Sequence, residues 1–99
     1  MYARIVTVQV QPDKVEEAII IFQNSVIPAA KQQKGFISLM LLTDTDRSTG
    51  KGISVGLWET EADLKAHEAS GYLQEQLAKF RAVFAAPPVQ EVYEVSVHS

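Results

Sequence analysis

The sequence contains few side chains that can carry out acid–base chemistry. It has two histidines and no cysteine, so it offers no thiolate nucleophile and no zinc–thiolate site. His98 stands next to the last residue of the sequence, and we expect it to be solvated. His67 is therefore the candidate catalytic base, because an unperturbed imidazole titrates near neutral pH. The structural alternative is a histidine at a helix end that bonds to backbone or water.

A candidate binding surface for an aromatic compound lies along one segment. Ser54, Gly56 and Trp58 alternate, so in a strand their side chains share one face. Small residues beside one large aromatic leave room for a ligand, on which Trp58 would stack; alternatively, Trp58 anchors the following helix in the core. Tyr72 could bring a phenolic hydroxyl to the same pocket, or it could pack locally.

A calcium site is less well supported by the sequence. Asp44, Asp46 and Ser48 have the spacing that opens an EF-hand loop, but Thr49 stands where that loop needs Gly and Val55 where it needs Glu. A polar hairpin loop is the better interpretation. The sequence also has no phosphate-binding glycine loop, Ser-His-Asp arrangement or paired-histidine motif, and we predict no metal site.

Length and charge narrow the class of protein. The 99 residues are enough for one domain, spanning 1–99, with one compact core. A net charge of −3, with nine scattered Lys and Arg residues, argues against a nucleic-acid partner. No apolar run approaches the ~20 residues of a membrane span, and the first residues lack the apolar block of a signal peptide. We therefore expect a cytoplasmic protein that does not enter the membrane.

The elements that must position these side chains follow from periodicity. Residues 2–11 alternate as a strand with Val6 on one face and Thr7 on the other, and Thr7 is a minor site candidate, as is Arg4 on the same strand. A helix is predicted to begin at an N-cap Asp13, to be interrupted at Pro28 and to stop before a glycine at position 35.

The second strand, Phe36 to Thr43, is apolar on both faces. The alternation predicts Phe36, Met40 and Leu42 on one face and Ile37, Leu39 and Leu41 on the other. A sheet with one face in water would alternate apolar and polar residues instead. Both faces of this strand therefore need cover.

The rest of the chain reads as strand, two helices and strand. A strand over residues 53–58 precedes a short helix capped by Thr60, and Ser70-Gly71 breaks that helix. A further helix is predicted from the apolar stripe of Leu73, Leu77, Phe80 and Phe84. Pro87-Pro88 is predicted to end this helix, and a last strand follows over residues 89–97. The order β-α-β-β-α-β is the α+β ferredoxin-like arrangement, an antiparallel sheet with helices on one face. We expect the bare face to be covered by a second copy in a two-fold homodimer.

The run from Leu57 to His67, followed by Ser70, Tyr72 and Leu73, resembles the signature stretch of the antibiotic-biosynthesis-monooxygenase-like family. In that family a strand ends in Trp-Glu and a short helix carries an Ala-His pair. The resemblance implies a dimeric α+β barrel with the two sheets face to face and a pocket between sheet and helices. It also implies oxidation of a small aromatic or quinol substrate without metal, flavin or other cofactor. In that reaction His67 would be the base or a hydrogen-bond partner, Trp58 and Tyr72 would line the pocket, and Ser54 would orient the substrate.

Two departures from the family pattern limit the function. The haem-degrading branch needs an Asn on the first strand and a His in the last helical region, where this sequence has Val6 and Leu77. An apolar Leu77 cannot ligate iron, so haem degradation by that mechanism is rejected, while haem binding in another mode stays open. In monooxygenase members an Asn four residues before the Trp can contact the substrate, and Ser54 stands there instead. The alternatives are a non-catalytic ligand-binding or structural dimer and, with no residue that selects it, a cyclase or isomerase.

Overall fold

The computed structural model describes all 99 residues and forms an α+β fold with one four-stranded antiparallel sheet. The strands lie in the order β2-β3-β1-β4, which confirms the predicted ferredoxin-like arrangement. Their bounds are β1, Tyr2–Val10; β2, Phe36–Thr43; β3, Lys51–Trp58; and β4, Phe84–Glu94.

The first helical segment is continuous but irregular. A 3-10 turn, Pro12–Lys14, leads into α1 (Val15–Ile21), then a π-helical turn, Phe22–Val26, and α2 (Ile27–Lys31). The predicted N-cap at Asp13 is wrong, because Asp13 lies inside the 3-10 turn and no side chain caps the helix. The predicted interruption does not fall at Pro28, which lies inside α2. The irregularity comes just before it, in the π turn that ends at Val26, where the wider spacing accommodates a proline that donates no backbone hydrogen bond.

The second helical segment positions the candidate histidine. It contains α3 (Glu61–Ala69) and α4 (Tyr72–Ala78). Thr60 caps α3 as predicted, its Oγ1 accepting from the backbone N–H of Asp63 at 3.0 Å. Gly71, with φ of 85°, separates the two helices in a left-handed conformation that favours glycine.

The predicted end of α4 and the predicted bounds of the last strand are wrong. The helix stops at Ala78, and Phe84 is the first residue of β4 rather than part of a helical stripe. Pro87 and Pro88 lie within β4, which the sheet accepts because β4 is an edge strand. The pairing of β4 with β1 shifts register beside these prolines, between the partners of Thr7 and Gln9.

Pairing across the sheet shows which side chains share a face. Leu39 pairs with Gly56 and Leu41 with Ser54, on the face that the helices cover. A β-bulge between Phe36 and Ser38 changes the alternation, so Phe36 pairs with Trp58 on that covered face. The prediction that Phe36 shares a face with Met40 and Leu42 is therefore wrong.

The other face of the sheet, here called the open face, carries no helix. Its exposed apolar side chains come from all strands but β1: Met40, Leu42, Ile53, Val89 and Tyr93. The core lies on the covered face, where Val10, Val15, Ala18, Phe22, Phe80 and Val83 pack together. No helix is both long and apolar enough to cross a lipid bilayer.

Candidate functional site

A small cavity lies between the covered face of the sheet and the helices. Its volume is about 50 Å³, and its polar lining comes from four elements: Arg4 of β1, Ser54 of β3, His67 of α3 and Gln76 of α4. Gly56, which pairs with Arg4, also lines it. A Cβ at Gly56 would lie 3.5 Å from Nε1 of Trp58 and would project into this space.

Arg4 and His67 form the central contact of the cavity. Nη1 of Arg4 donates to Nδ1 of His67 at 2.8 Å, and Nη2 donates to the carbonyl oxygen of Leu64 at 2.9 Å. A guanidinium can only donate, so Nδ1 of His67 is the acceptor. A neutral His67 therefore carries its proton on Nε2.

The environment keeps His67 neutral. Burial, and to a smaller extent the positive charge of Arg4, together lower the pKa of His67 to about 4. At neutral pH the imidazole has an occupied acceptor at Nδ1 and a free donor at Nε2. This geometry favours a hydrogen-bond donor at His67 over the predicted base, because the only lone pair that could take a proton is already held by Arg4.

Trp58 is both a core side chain and part of the cavity wall. It is 3% exposed, and its ring stacks on the imidazole of His67 with centroids 4.7 Å apart and an interplanar angle of 30°. Phe36 meets the indole edge-on, with ring centroids 5.9 Å apart. Trp58 therefore serves as a core anchor and lines the cavity at the same time, so its two interpretations are compatible.

A second, apolar cavity of about 80 Å³ adjoins the first. Ser54 and Gln76 line both cavities, so these two polar side chains stand where the cavities meet. Leu77, in the position discussed for a haem ligand, lines only the apolar cavity. We refer to the two adjoining cavities together as the chamber, with a polar end at Arg4 and an apolar end at Leu77.

Gln76 was not predicted from the sequence. It is 8% exposed, and its Oε1 accepts from the hydroxyl of Ser25 at 2.9 Å. Lys79 donates to the oxygen of the same hydroxyl, so the hydroxyl proton of Ser25 must point to Oε1 of Gln76. The side-chain oxygen of Gln76 is then occupied, and its side-chain nitrogen, Nε2, is free to donate to a ligand. The available signal was the position of Gln76, three residues after Leu73 and four before Phe80, which puts a polar side chain on the apolar stripe.

Two predicted site residues do not reach the chamber. Thr7 lies on the open face, where it pairs with Ile53 and Val89 and is exposed, because strand alternation turns it away from Val6. Tyr72 begins α4 after Gly71 and is 41% exposed, outside both cavities. Within one chain, Thr7 and Tyr72 therefore do not line the cavity that Trp58 lines, and their roles as site residues stay predictions.

The loop with EF-hand-like spacing is closed on itself. The carboxylate of Asp44 accepts from the backbone N–H of Asp46 at 3.0 Å and from Oγ1 of Thr49 at 2.8 Å, and these bonds hold the pKa of Asp44 below its usual value. The turn ends at Gly50, with φ of 67°. The predicted hairpin loop is confirmed. No group of three His, Asp or Glu side chains lies close enough together to hold a metal ion, and the prediction of no metal site stays a prediction.

The family model and the similar solved structures both point to the same family of proteins. The family model for antibiotic biosynthesis monooxygenase matches residues 1–86. A proposed antibiotic biosynthesis monooxygenase from Nitrosomonas europaea has a similar structure, with a TM-score of 0.81, 20% identity, and coverage of 98% of this chain and 100% of that one. A variant of SnoaB, a cofactor-independent oxygenase from Streptomyces nogalater, has a TM-score of 0.77, 14% identity, and coverage of 98% and 94%. At these identities the two structures show the shared fold.

Curated relatives are longer than this chain. Two uncharacterised proteins of Mycobacterium tuberculosis, MT2634 and Rv2557, are each 30% identical over 97 residues. The matched region is 97% of this chain but 41% of each relative. The chain therefore spans less than half the length of these two proteins.

Proposed function

This chain belongs to the antibiotic biosynthesis monooxygenase family, and on that premise we propose that it is a cofactor-independent monooxygenase acting on a small phenolic or quinol-type aromatic compound. The observation that carries the proposal is the chamber itself, in which Trp58 stacks on a neutral His67 beside the buried cation of Arg4. The fold places this aromatic and donor-rich wall between sheet and helices, where a planar ring can be kept from water.

The proposed reaction needs no reductant other than the substrate. A phenol ring carbon loses its hydrogen and gains one oxygen atom from dioxygen, which gives a quinone. The second oxygen atom leaves as water, with that hydrogen and the phenolic proton. The phenol supplies all four electrons that dioxygen accepts, so the atoms and electrons balance.

Each chamber residue has a proposed role in that reaction. Trp58 supports the ring, Nε2–H of His67 donates to the substrate oxygen, and Ser54 with Gln76 orients a second polar group where the cavities meet. Donors fixed in a dry site stabilise charge that develops on oxygen more strongly than water does. In this proposal His67 is a hydrogen-bond donor rather than a base.

The chamber volume sets the ligand size. The two parts measure about 80 and 50 Å³, and each is smaller than the roughly 150 Å³ cavity that takes up benzene in a protein core. We therefore propose that a single aromatic ring extends through both parts, past Ser54 and Gln76, with a small outward movement of the lining side chains. Larger fused rings require the helices to move away from the sheet.

We further propose a homodimer formed through the open face. Met40 and Leu42 are 46% and 48% exposed, and they are joined there by Ile53, Val89 and Tyr93. A contiguous apolar surface of this kind marks an interface in a protein that stays in solution. A second copy presents the same surface, which is what a two-fold interface requires.

A non-catalytic ligand-binding dimer is the second candidate. Two observations favour it: the acceptor nitrogen of His67 is occupied by Arg4, and no Asp or Glu lines the chamber to act as a base. This candidate predicts ligand binding without oxygen consumption.

The test is oxygen uptake by the purified, metal-free protein with a panel of single-ring dihydroxy-aromatic compounds. The proposal predicts uptake above the spontaneous rate, and a His67→Leu variant that loses most of it. His98→Gln changes the other histidine, outside the chamber, and should leave the rate unchanged. Binding of these compounds with no uptake above the spontaneous rate would support the binding protein instead.

A further inference from the structure

The chamber contains a buried cation without a counter-charge. Arg4 is 4% exposed, and no carboxylate lies within ion-pair distance of it. Glu68, on α3, is the acidic side chain whose charge acts on Arg4, and it does so without forming an ion pair. A buried charge without a partner is costly, and proteins pair such groups or use them.

The hydrogen-bonding capacity of Arg4 is also incompletely used. A guanidinium has five N–H donors, of which one bonds to Nδ1 of His67 and one to the carbonyl oxygen of Leu64. Nε is fully buried and has no partner. The remaining donors belong to a side chain that lines the cavity.

The other polar groups around Arg4 are donors as well. His67 presents Nε2–H, Gln76 has Nε2 free, and Ser54 takes part in none of the hydrogen bonds of the site. Arg4 and His67 are the ionisable groups that line this cavity, and His67 is neutral at pH 7. The cavity therefore combines one positive charge with several donors and has no negative charge of its own.

We propose that the polar end of the chamber selects aromatic ligands as oxyanions: Nε2–H of His67 donates to the ionised oxygen, the buried cation of Arg4 on the other side of the imidazole stabilises its negative charge, and the ring of the ligand lies toward the apolar end. The assignment rests on the proposed function in taking this chamber as the substrate site. It names the substrate form as the phenolate, so the chain needs no internal base: a phenol loses its proton to solvent, and the bound anion is stabilised by the fixed cation.

The test uses 4-nitrophenol, a single-ring phenol that titrates near neutral pH and whose phenolate absorbs visible light that the phenol does not. Binding is measured between pH 5 and 9, a range in which His67 stays neutral. An opposite charge nearby lowers the pKa of an acid by roughly 1–3 units. We therefore expect the wild-type protein to bind phenolate at least about tenfold more tightly than phenol, which is a shift of about one pH unit.

Matched variants test the part played by Arg4. Arg4→Met should abolish the preference for the phenolate, while Arg81→Met, which removes an equal charge from an exposed position, should retain it. A folded Arg4→Met protein that keeps the preference overturns the assignment to Arg4. If Arg4→Met does not fold, the wild-type titration decides alone.

Wild-type outcomes separate this inference from the proposed reaction. Equal or tighter binding of the phenol, or no binding of either form, overturns the oxyanion site. Phenolate binding without oxygen uptake on any dihydroxy-aromatic compound refutes the monooxygenase and leaves the oxyanion site standing. Oxygen uptake without a phenolate preference refutes the oxyanion site alone.

Discussion

Arg4 and His67, 63 residues apart in the sequence, are joined by a 2.8 Å hydrogen bond between the guanidinium and Nδ1 of the imidazole. This contact links β1 to α3 and fixes which nitrogen of His67 carries the proton. It also brings the one buried cation of the chamber against the ring that Trp58 stacks on. The chemistry proposed for the chamber depends on this pair.

The donor role of His67 predicts an unequal effect of two substitutions. Glutamine can accept from Arg4 through Oε1 and donate through Nε2, whereas leucine can do neither. We expect His67→Gln to keep oxygen uptake within about tenfold of wild type and His67→Leu to lose roughly tenfold to a hundredfold, since a hydrogen bond to a charged group contributes about 1.5–3 kcal/mol. Steady-state oxygen uptake measures both. Equal and complete loss in the two variants would indicate a base instead.

The low pKa of His67 predicts acid sensitivity of the fold. The imidazole of His67 binds a proton below about pH 6.5 in the unfolded state but only near pH 4 in the folded state. Between these two pH values the unfolded state therefore binds more protons than the folded state. The free energy of unfolding consequently decreases as the pH falls through this range. The loss from this group is at most about 3 kcal/mol by pH 4. Urea unfolding followed by Trp58 emission at pH 7, 6 and 5 measures it.

The control for that measurement is the difference between two variants. His67→Gln should have a flatter dependence of stability on pH between 7 and 5, whereas His98→Gln should keep the wild-type dependence. Taking the difference removes the contribution of carboxylates, which titrate in all the proteins. Identical pH dependence in wild type and His67→Gln would show that His67 is not buried as a neutral ring.

Gln76 is predicted to orient the ligand at the junction of the two cavities. Gln76→Leu removes the free amide donor and should raise KM about fivefold to tenfold with a smaller change in kcat, because a neutral hydrogen bond contributes about 1 kcal/mol. Gln74→Leu makes the same change at an exposed position of α4 and should leave both constants unchanged. Ser25→Ala should weaken binding less than Gln76→Leu, since it only frees the amide to rotate. An unchanged KM in Gln76→Leu would remove this residue from the binding site.

The open face predicts a dimer that a single charge disrupts. Met40→Glu places a carboxylate within the apolar surface and should convert the dimer to monomer in sedimentation velocity experiments. Ile20→Glu makes a comparable change at an apolar position on α1 that is 56% exposed, away from the open face, and should remain dimeric. A wild-type protein that sediments as a monomer would contradict the proposed interface.

Much of the scaffold could be predicted from the sequence, because local patterns determine it. Ser54, Gly56 and Trp58 share a face as predicted, and Thr60 caps α3. The side occupied by Phe36 could not be predicted, because a strand that is apolar on both faces does not reveal a bulge. From the sequence, Pro87 predicts the end of an element, because a proline within a strand is tolerated only where that strand lies at the edge of its sheet, and the position of β4 in the sheet is known only from the structure.

The candidate site could be predicted only in part, because its central contacts are long-range. Alternation alone puts Arg4 on the same face as Val6, but charged residues are seldom buried, and the partner that holds Arg4 lies far away in the sequence. The role of His67 depends on the same bond. An isolated histidine suggests a base, whereas one that accepts from an arginine is a donor.

The most direct test of the central claim is the reaction of the protein under ¹⁸O₂ with a single-ring phenol or quinol that supports oxygen uptake, followed by mass spectrometry of the product. A cofactor-independent monooxygenase places one ¹⁸O atom in the organic product and releases the other as water. We predict this single label in the wild-type product, and about tenfold to a hundredfold less labelled product per unit time from His67→Leu. An unlabelled product, or a product equally abundant without the protein, would contradict the proposed function.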